Sequence, residues 1–367
     1  MSLQSSNTRT PPIGDGATTA KILVLTVAGI GDFVLGTPAL HALRHGFPHT
    51  EIWILTIPEV APLADRCPYV DVVRTLDLRR SRSALAWILG PARRELLPLI
   101  SELRATRFDT ALNLYAAGTR AGRLRMSVFL WSVGARRTVG RHHNGLGGGL
   151  PGTSSQNIHE IDAQLGIARL VGATATDPVP ELWVRPADRT DCAVLLKRYG
   201  ISDQRQLVCL SPGSDQGKKR WPAERFAAVG QRLAEAGARV ALIGSRSEHV
   251  LCDQLVQEIP GAISLAGETS LPVLAALLEL SRLLVTNDSG PMHMAAALGV
   301  PLVVAFGPAA PDRFGPRGRG IHLVFAAIGQ PGRGSWWEEV RADAVSEAAV
   351  RLYVETAART GAPGRDA

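Results

Sequence analysis

Lys21 to Thr26, KILVLT, is a run of leucine and β-branched residues that gives way to a turn of small residues, Val27 to Gly31, and then to Phe33 to His45, where apolar residues return at helical spacing. A strand with no polar alternation must be covered on both faces, and a helix following each strand supplies that cover, which is the logic of a parallel sheet. The pattern recurs. Strands are predicted at Glu51 to Thr56, Val70 to Leu76 and Thr110 to Tyr115, with a helical stretch at Ala84 to Leu103 between them. The second half repeats the plan with strands at Leu207 to Leu210, Arg239 to Gly244, Ala262 to Leu265, Leu283 to Thr286, Leu302 to Phe306 and Leu323 to Phe325. A helix at Ala223 to Ala236 opens behind Pro222, stops at Gly237, and puts Phe226, Val229 and Leu233 on one stripe.

The expected fold is therefore α/β, with two doubly wound Rossmann-like domains facing each other across a cleft. A break near Val184 to Ser202, with Pro186 and the polar run Asp188 to Asp191, marks the expected boundary. On this reading residues 20–190 form the first domain and residues 191–341 the second. The segment 342–367 is a helix and tail that could return to the first domain, and residues 1–19, rich in Ser, Thr, Pro and Gly, stay disordered. A chain of 367 residues, 46% hydrophobic and 5% aromatic, has the length for two cores. No apolar run reaches the roughly 18 residues of a membrane span, so a soluble protein is expected. Cys67, Cys192, Cys209 and Cys252 stand far apart, without CxxC or histidine pairing, which fits reduced thiols in the cytoplasm better than a disulfide framework.

In doubly wound sheets ligands collect where strands end, so the segments after strands carry the chemistry. The first is Ala28-Gly29-Ile30-Gly31-Asp32-Phe33. Its two glycines permit a sharp turn and a close approach to a ligand, and Asp32 opens the helix, either as a capping carboxylate or as a general base. No third glycine completes a dinucleotide fingerprint, which disfavours hydride transfer. The second runs from Ser211 through Pro212, Gly213 and Ser214 to Lys218, Lys219, Arg220 and Trp221. Hydroxyls, a glycine loop and three successive cations suit a diphosphate; a solvated basic loop is the alternative. The third places Asp288, Ser289 and Gly290 at a strand exit, Pro291 in the first helical turn and His293 one turn in. Free amides at such a helix start form an anion site, which His293 could also face unless it is a packed structural residue.

The net charge of +7 calls for an acidic partner, and arginine is densest at Arg120, Arg123, Arg125, Arg136, Arg137 and Arg141, followed by His142 and His143. This cluster is either a solvated face or a docking site for a phosphorylated acceptor, with Arg120, Arg123, Arg141 and the glycine Gly31 as candidate acceptor contacts. The chain has no DxD, HExxH, GxSxG or Walker sequence, so metal-held diphosphates, zinc proteolysis, serine hydrolysis and ordinary ATP hydrolysis lack their usual residues.

Taken together, KILVLTVAGIGDFVLGTPALHALR (21–44), FDTALNL (108–114), HEIDAQLGIARLVG (159–172), SPGSDQGKKRWPAERFA (211–227), LAGETSLPVLAALL (265–278) and NDSGPMHMAAALGVPLVVAFGP (287–308) resemble the bacterial family-nine glycosyltransferases, whose best-known members are ADP-heptose:lipopolysaccharide heptosyltransferases. The resemblance implies a GT-B architecture, with acceptor on the first domain, nucleotide sugar on the second, and no cofactor or essential metal. It implies an inverting transfer with Asp32 as base. The family's phosphate-binding lysine falls on Lys219, with Ser211, Ser214, Lys218 and Arg220 around it. The helix-start residues fall on Asp288, Ser289 and Gly290, with His293 following, and a nucleoside-binding acid falls on Glu248. The sequence departs from the family at Ser211, where a histidine is usual, and at Asp215, where a small or hydroxyl residue is usual.

The expected function is transfer of a heptose-type sugar from an ADP-sugar donor to an anionic lipopolysaccharide core acceptor, in the cytoplasm with peripheral contact at the inner membrane surface and no nucleic acid partner. The alternatives are a different donor or a protein acceptor on the same fold, a non-catalytic nucleotide-sugar-binding protein and, third, a nucleic-acid-binding protein, which only the basic charge suggests and the sparse aromatic interleaving of the basic residues disfavours.

Overall fold

The computed structural model describes residues 20–77, 93–117, 119–141, 158–174, 177–201, 203–307, 310–326 and 336–360. Two parallel-sheet α/β units result. Among the described residues, the first takes those of Met1–Ala28, Gly36–Ser155 and Ile161–Pro178, and the second those of Gly29–Leu35, Gln156–Glu160 and Val179–Ala367.

In the first unit β1 (Lys21–Thr26), β2 (Glu51–Thr56), β3 (Val72–Thr75), β4 (Thr110–Asn113) and β5 (Arg137–Gly140) form one sheet in the order β3-β2-β1-β4-β5. All neighbours are parallel, with Lys21 beside Glu51 and Ile22 beside Thr110. The order reverses between β1 and β4, which defines a switch point at their carboxyl ends. Ile22, Leu23, Val24 and Leu25 are all fully buried, as a strand covered on both faces requires. The helices are α1 (Ile30–Gly46), of which Ile30–Leu35 counts with the second unit, the short α2 (Ala61–Ala64), α3 (Arg93–Thr106), α4 (Arg120–Val133) and α5 (Glu160–Arg169), whose Glu160 also counts with the second unit. The expected helix at Ala84 to Leu103 therefore begins, within the described residues, at Arg93; its earlier part lies outside them, as do the segment 1–19 and His142 and His143.

The second unit opens with α6 (Pro186–Arg198), followed by β6 (Leu207–Ser211), α7 (Ala223–Glu235), β7 (Arg239–Leu242), α8 (His249–Glu258), β8 (Ile263–Ser264) and α9 (Leu271–Leu280). It continues with β9 (Leu283–Asn287), α10 (Gly290–Ala297), β10 (Leu302–Phe306), α11 (Pro311–Phe314), β11 (His322–Ala326) and α12 (Ala342–Thr360). Its parallel sheet runs β11-β10-β9-β6-β7-β8, so the reversal falls between β6 and β9.

Three sequence expectations change. The stretch read as a break is the helix α6, because Pro186 occupies its first turn and the Asp188 carboxylate accepts from the Arg185 amide at 2.9 Å; both are start signals. The second unit accordingly begins at Val179, ahead of that stretch. The last helix, α12, belongs to the same unit: its Val345, Ala349, Leu352 and Tyr353 share a core with Phe226, Val229 and Leu233 of α7. No helix among the described residues is long and apolar enough to cross a membrane.

Gly140, the last residue of β5, has φ of 143°, and a Cβ there would lie 2.3 Å from the Asn113 carbonyl oxygen on the neighbouring strand. All of the close atoms are Asn113 backbone, held in the β4 pairing, which leaves no room to give. Gly140→Ala should cost about 2–4 kcal/mol, read as a lower urea midpoint at unchanged m-value.

Candidate functional site

The second sheet brings two exit loops side by side at its switch point. β6 ends at Ser211 and β9 at Asn287, and the strands pair directly, Ser211 opposite Thr286. Asn287 ties the two exits together. Its Nδ2 donates to the carbonyls of Pro212 at 2.8 Å and Gly213 at 3.2 Å, while its Oδ1 accepts from the Trp221 amide at 2.9 Å. The side chain is fully buried and its amide bonds both ends of the Ser211 to Trp221 loop. Trp221 is a packing anchor, buried edge-on against Phe226, with Nε1 donating to the Val340 carbonyl at 3.1 Å.

Inside that frame the three cations separate. Lys219 Nζ lies 2.6 Å from Asp288 Oδ2, an ion pair with Asp288 almost completely buried and Lys219 partly open. Burial pushes the Asp288 carboxyl above its ordinary pKa, and the attraction of Lys219 works against that shift. Arg220 is exposed, but its guanidinium folds back to donate to the Ser214 carbonyl at 3.0 Å and sits 3.8 Å from Glu248. Lys218 is exposed on the loop. Lys219 thus stands apart as the cation set at the strand exits, while Ser211 and Ser214 are buried beside it in the chain. Glu248 caps its own turn: Oε2 accepts from the Ser245 amide at 2.7 Å and its hydroxyl at 2.9 Å. The carboxylate also occupies the space beside Gly213, where a Cβ would come within 1.9 Å of Oε1.

At the other exit Ser289 precedes α10 in extended conformation and caps nothing with its side chain; its hydroxyl meets that of Thr286 at 3.1 Å. The amides of the first turn of α10 are left to bind an anion, with the helix dipole behind them. His293 is buried, and its Nδ1 has no hydrogen-bond partner among the described residues. Burial, with His159 and Lys219 adding to it, pushes its pKa down to about 3. A ring held neutral can donate or accept a hydrogen bond but supplies no counter-charge.

The segment 29–35 belongs to this same unit. Gly31 lies against the His293 ring, where a Cβ would come within 2.7 Å of Cδ2, and Gly290 lies against Ile30. The glycine-rich turn before Asp32 is therefore packed on the helix start that comes after Asp288. Asp32 is partly exposed in the first turn of α1.

The arginines do not form one patch. Arg120 and Arg123 lie in the first turn of α4, Arg120 exposed and Arg123 half-buried. Arg141 is buried at the exit of β5, its amide donating to Asn113 O at 3.2 Å and its carbonyl accepting from Asn113 Nδ2 at 3.3 Å. Arg137 donates to the Leu170 carbonyl and Arg136 pairs with Asp109, so both are engaged in holding the unit together. What connects Arg120, Arg123 and Arg141 is position: all three come after β4 or β5 on the carboxyl side of the first sheet. Sequence reasoning gave no role to Asn287, although an amide closing a fully buried strand is a signal that something must bond it. It also missed the tie of His159 Nε2 to the Gly315 carbonyl at 3.0 Å and of Glu160 to Arg313 at 3.8 Å.

Comparison with known proteins settles the class. A family model described as glycosyltransferase family 9 (heptosyltransferase) matches residues 159–333, which span the whole β6/β9 site. The chain carries a family-nine glycosyltransferase domain. This glycosyltransferase is 26% identical to lipopolysaccharide heptosyltransferase 2 of Escherichia coli K12 over 83% of its own length and 88% of the relative's. A solved family-nine glycosyltransferase from Veillonella parvula superposes with a TM-score of 0.77 at 25% identity, covering 92% of this chain and 98% of that one. The fold is also that of E. coli ADP-heptose LPS heptosyltransferase II, with a TM-score of 0.72 at 23% identity over 91% and 99% of the two chains. The fold class is thus that of GT-B glycosyltransferases.

The buried imidazole gives a pH test. Its folded pKa of about 3 lies below the ordinary 6.5, so the unfolded chain takes the proton first. The stability this neutral ring contributes is complete above pH 6.5 and drains as pH falls toward 3. Between pH 7 and pH 5 the loss is on the order of 2 kcal/mol. His293→Gln should flatten that part of the stability profile, measured by urea unfolding at both pH values; an unchanged slope would show that His293 is not the group responsible.

Proposed function

We infer that this glycosyltransferase moves a heptose from ADP-heptose to a lipopolysaccharide core acceptor, with inversion and without a metal ion. The observation that carries the reading is the β6/β9 switch point, where Lys219 and the amides of Ser289 and Gly290 stand ready for a diphosphate and the turn before Asp32 packs on the same helix start. The relatives' names supply the sugar and the acceptor, and the name of the E. coli structure the donor.

In this mechanism the acceptor oxygen attacks the anomeric carbon opposite the diphosphate. The new carbon–oxygen bond forms as the bond to the diphosphate breaks, and Asp32 takes the acceptor proton. Lys219, Ser214 and the amides at Ser289 and Gly290 stabilise the charge growing on the departing ADP, as preorganised donors do in an oxyanion hole. Lys219 then has two roles in turn. Without donor it neutralises buried Asp288; with donor it is shared with the phosphates. His293, neutral and with Nδ1 available, is a hydrogen-bonding partner for a ligand oxygen. Arg120, Arg123 and Arg141 stand at the end of the first sheet where acceptor phosphates would be held, and an acceptor of that kind brings the enzyme to the cytoplasmic face of the inner membrane.

A different donor is the second reading, favoured by Ser211 and Asp215, which break the family pattern beside the phosphate loop. Titration calorimetry of ADP-, UDP- and GDP-sugars with chelator present decides between them: tight binding confined to a sugar other than ADP-heptose sinks the first.

Asp32→Asn should hold donor within about threefold of the wild-type Kd and lose about 10²–10⁴-fold in kcat. Retained turnover removes Asp32 as the base. Lys219→Ala leaves a buried carboxylate without its partner, so the cleaner variant is Lys219→Met with Asp288→Asn, which removes both charges. It should fold with near-native stability and bind donor at least about tenfold more weakly by calorimetry.

A further inference from the structure

α4 is apolar on two opposite sides. Met126, Phe129, Leu130 and Val133 are buried against the first unit, as an amphipathic helix requires. On the outward side Leu124 is 64% exposed, Val128 56% and Trp131 81%, the most exposed large hydrophobic side chain among the described residues. Spaced by four and three, these three lie on a single stripe. Nothing in the interior asks for them, and a tryptophan open to water on a regular helix is costly to leave uncovered.

The charges beside the stripe say what covers it. At about 100° per residue, Arg123 and Arg125 fall on its two shoulders, and Arg120 continues its N-terminal end. The helix RAGRLRMSVFLWSV holds three arginines and no acid. On neighbouring α3, Leu97 is 49% exposed one turn beyond the exposed Arg93, with Arg94 and Glu95 exposed between them. A protein partner of this basic chain would need an acidic rim around an apolar groove. A second copy would set the arginine shoulders against each other. An anionic bilayer meets both features at once, with phosphates for the guanidinium groups, hydrocarbon for Leu124 and Val128, and the headgroup boundary where tryptophan settles.

The geometry points to α4 as a membrane-docking helix, lying in the plane of an anionic bilayer with Leu124, Val128 and Trp131 inserted and Arg120, Arg123 and Arg125 at the headgroups. The helix is built to hold that surface rigidly. The Thr119 hydroxyl accepts from the Gly122 amide at 3.0 Å at its start, and Gly134 closes it in the left-handed conformation with φ of 71°. This rests on surface chemistry alone and is independent of which sugar is transferred.

The test uses the full chain and vesicles free of any acceptor glycolipid. Flotation with vesicles of phosphatidylglycerol and phosphatidylethanolamine should recover the protein, and vesicles of phosphatidylcholine alone should not. Recovery should fall with added salt. Leu124→Ser/Val128→Ser/Trp131→Ser, all at exposed positions, should weaken binding at least about tenfold while leaving the unfolding midpoint unchanged, and Arg125→Gln should weaken it about fivefold. Brominated lipids should quench wild-type fluorescence more than that of Trp131→Phe. The triple variant should still turn over a water-soluble acceptor at the wild-type rate, which separates docking from catalysis: a wild-type protein that binds vesicles but transfers nothing overturns the proposed function alone. Docking is overturned if the wild type fails to float with anionic vesicles, if the triple variant floats as well as the wild type, or if the triple substitution abolishes a dimer seen by sedimentation velocity without changing flotation.

Discussion

The β6/β9 site depends on one buried amide. Asn287 closes β9, and its side chain bonds the carbonyls of Pro212 and Gly213 and the amide of Trp221. Three hydrogen bonds from one rigid side chain fix the loop after β6 relative to the strand that leads to Ser289, and thereby set Lys219 beside Asp288. A loop carrying three adjacent cations would otherwise spread them into solvent, where an ordered ion pair is worth little. Held at both ends, it delivers one lysine inward and turns Arg220 back on its own Ser214 carbonyl.

That arrangement also explains why a buried aspartate is tolerated. Desolvation works against the charged form of Asp288, and only Lys219 offsets it among the interactions that shift its pKa. On the proposed reading, a polyanion entering the site would compete for Lys219 and so couple binding to the state of Asp288. The Nδ1 of His293 has no partner among the described residues, and the first-turn amides of α10 have none within the helix, which is where a ligand would supply them.

The sheet was legible in the sequence because its strands are apolar on both faces; Lys21 to Thr26, Glu51 to Thr56 and Leu302 to Phe306 occupy the residues read for them. β5 was not, since Arg137-Thr138-Val139-Gly140 is an edge strand with one buried apolar side chain and no alternation to count. α6 was misread because proline and a polar run look like a break when they in fact open a helix. The same divide runs through the site. Strand exits and helix starts can be located from local pattern, which is how Asp288, Ser289 and Lys219 stood out. Side-chain destinations cannot: Arg120 and Arg141 sit in one basic stretch of sequence, yet Arg120 is exposed on a helix start while Arg141, whose amide bonds Asn113 of β4, is buried at the end of a strand.

The four cysteines are all buried, and burial raises Cys192 to about 11 and both Cys209 and Cys252 to about 12. Thiolate, the nucleophilic form, is therefore scarce at those three at neutral pH, and burial puts all four sulfurs, Cys67 included, out of reach of bulky reagents. The native chain is in effect a cysteine-silent background. A single cysteine engineered on the surface would be the preferred target for a maleimide dye or spin label, with no prior replacement of the natural four.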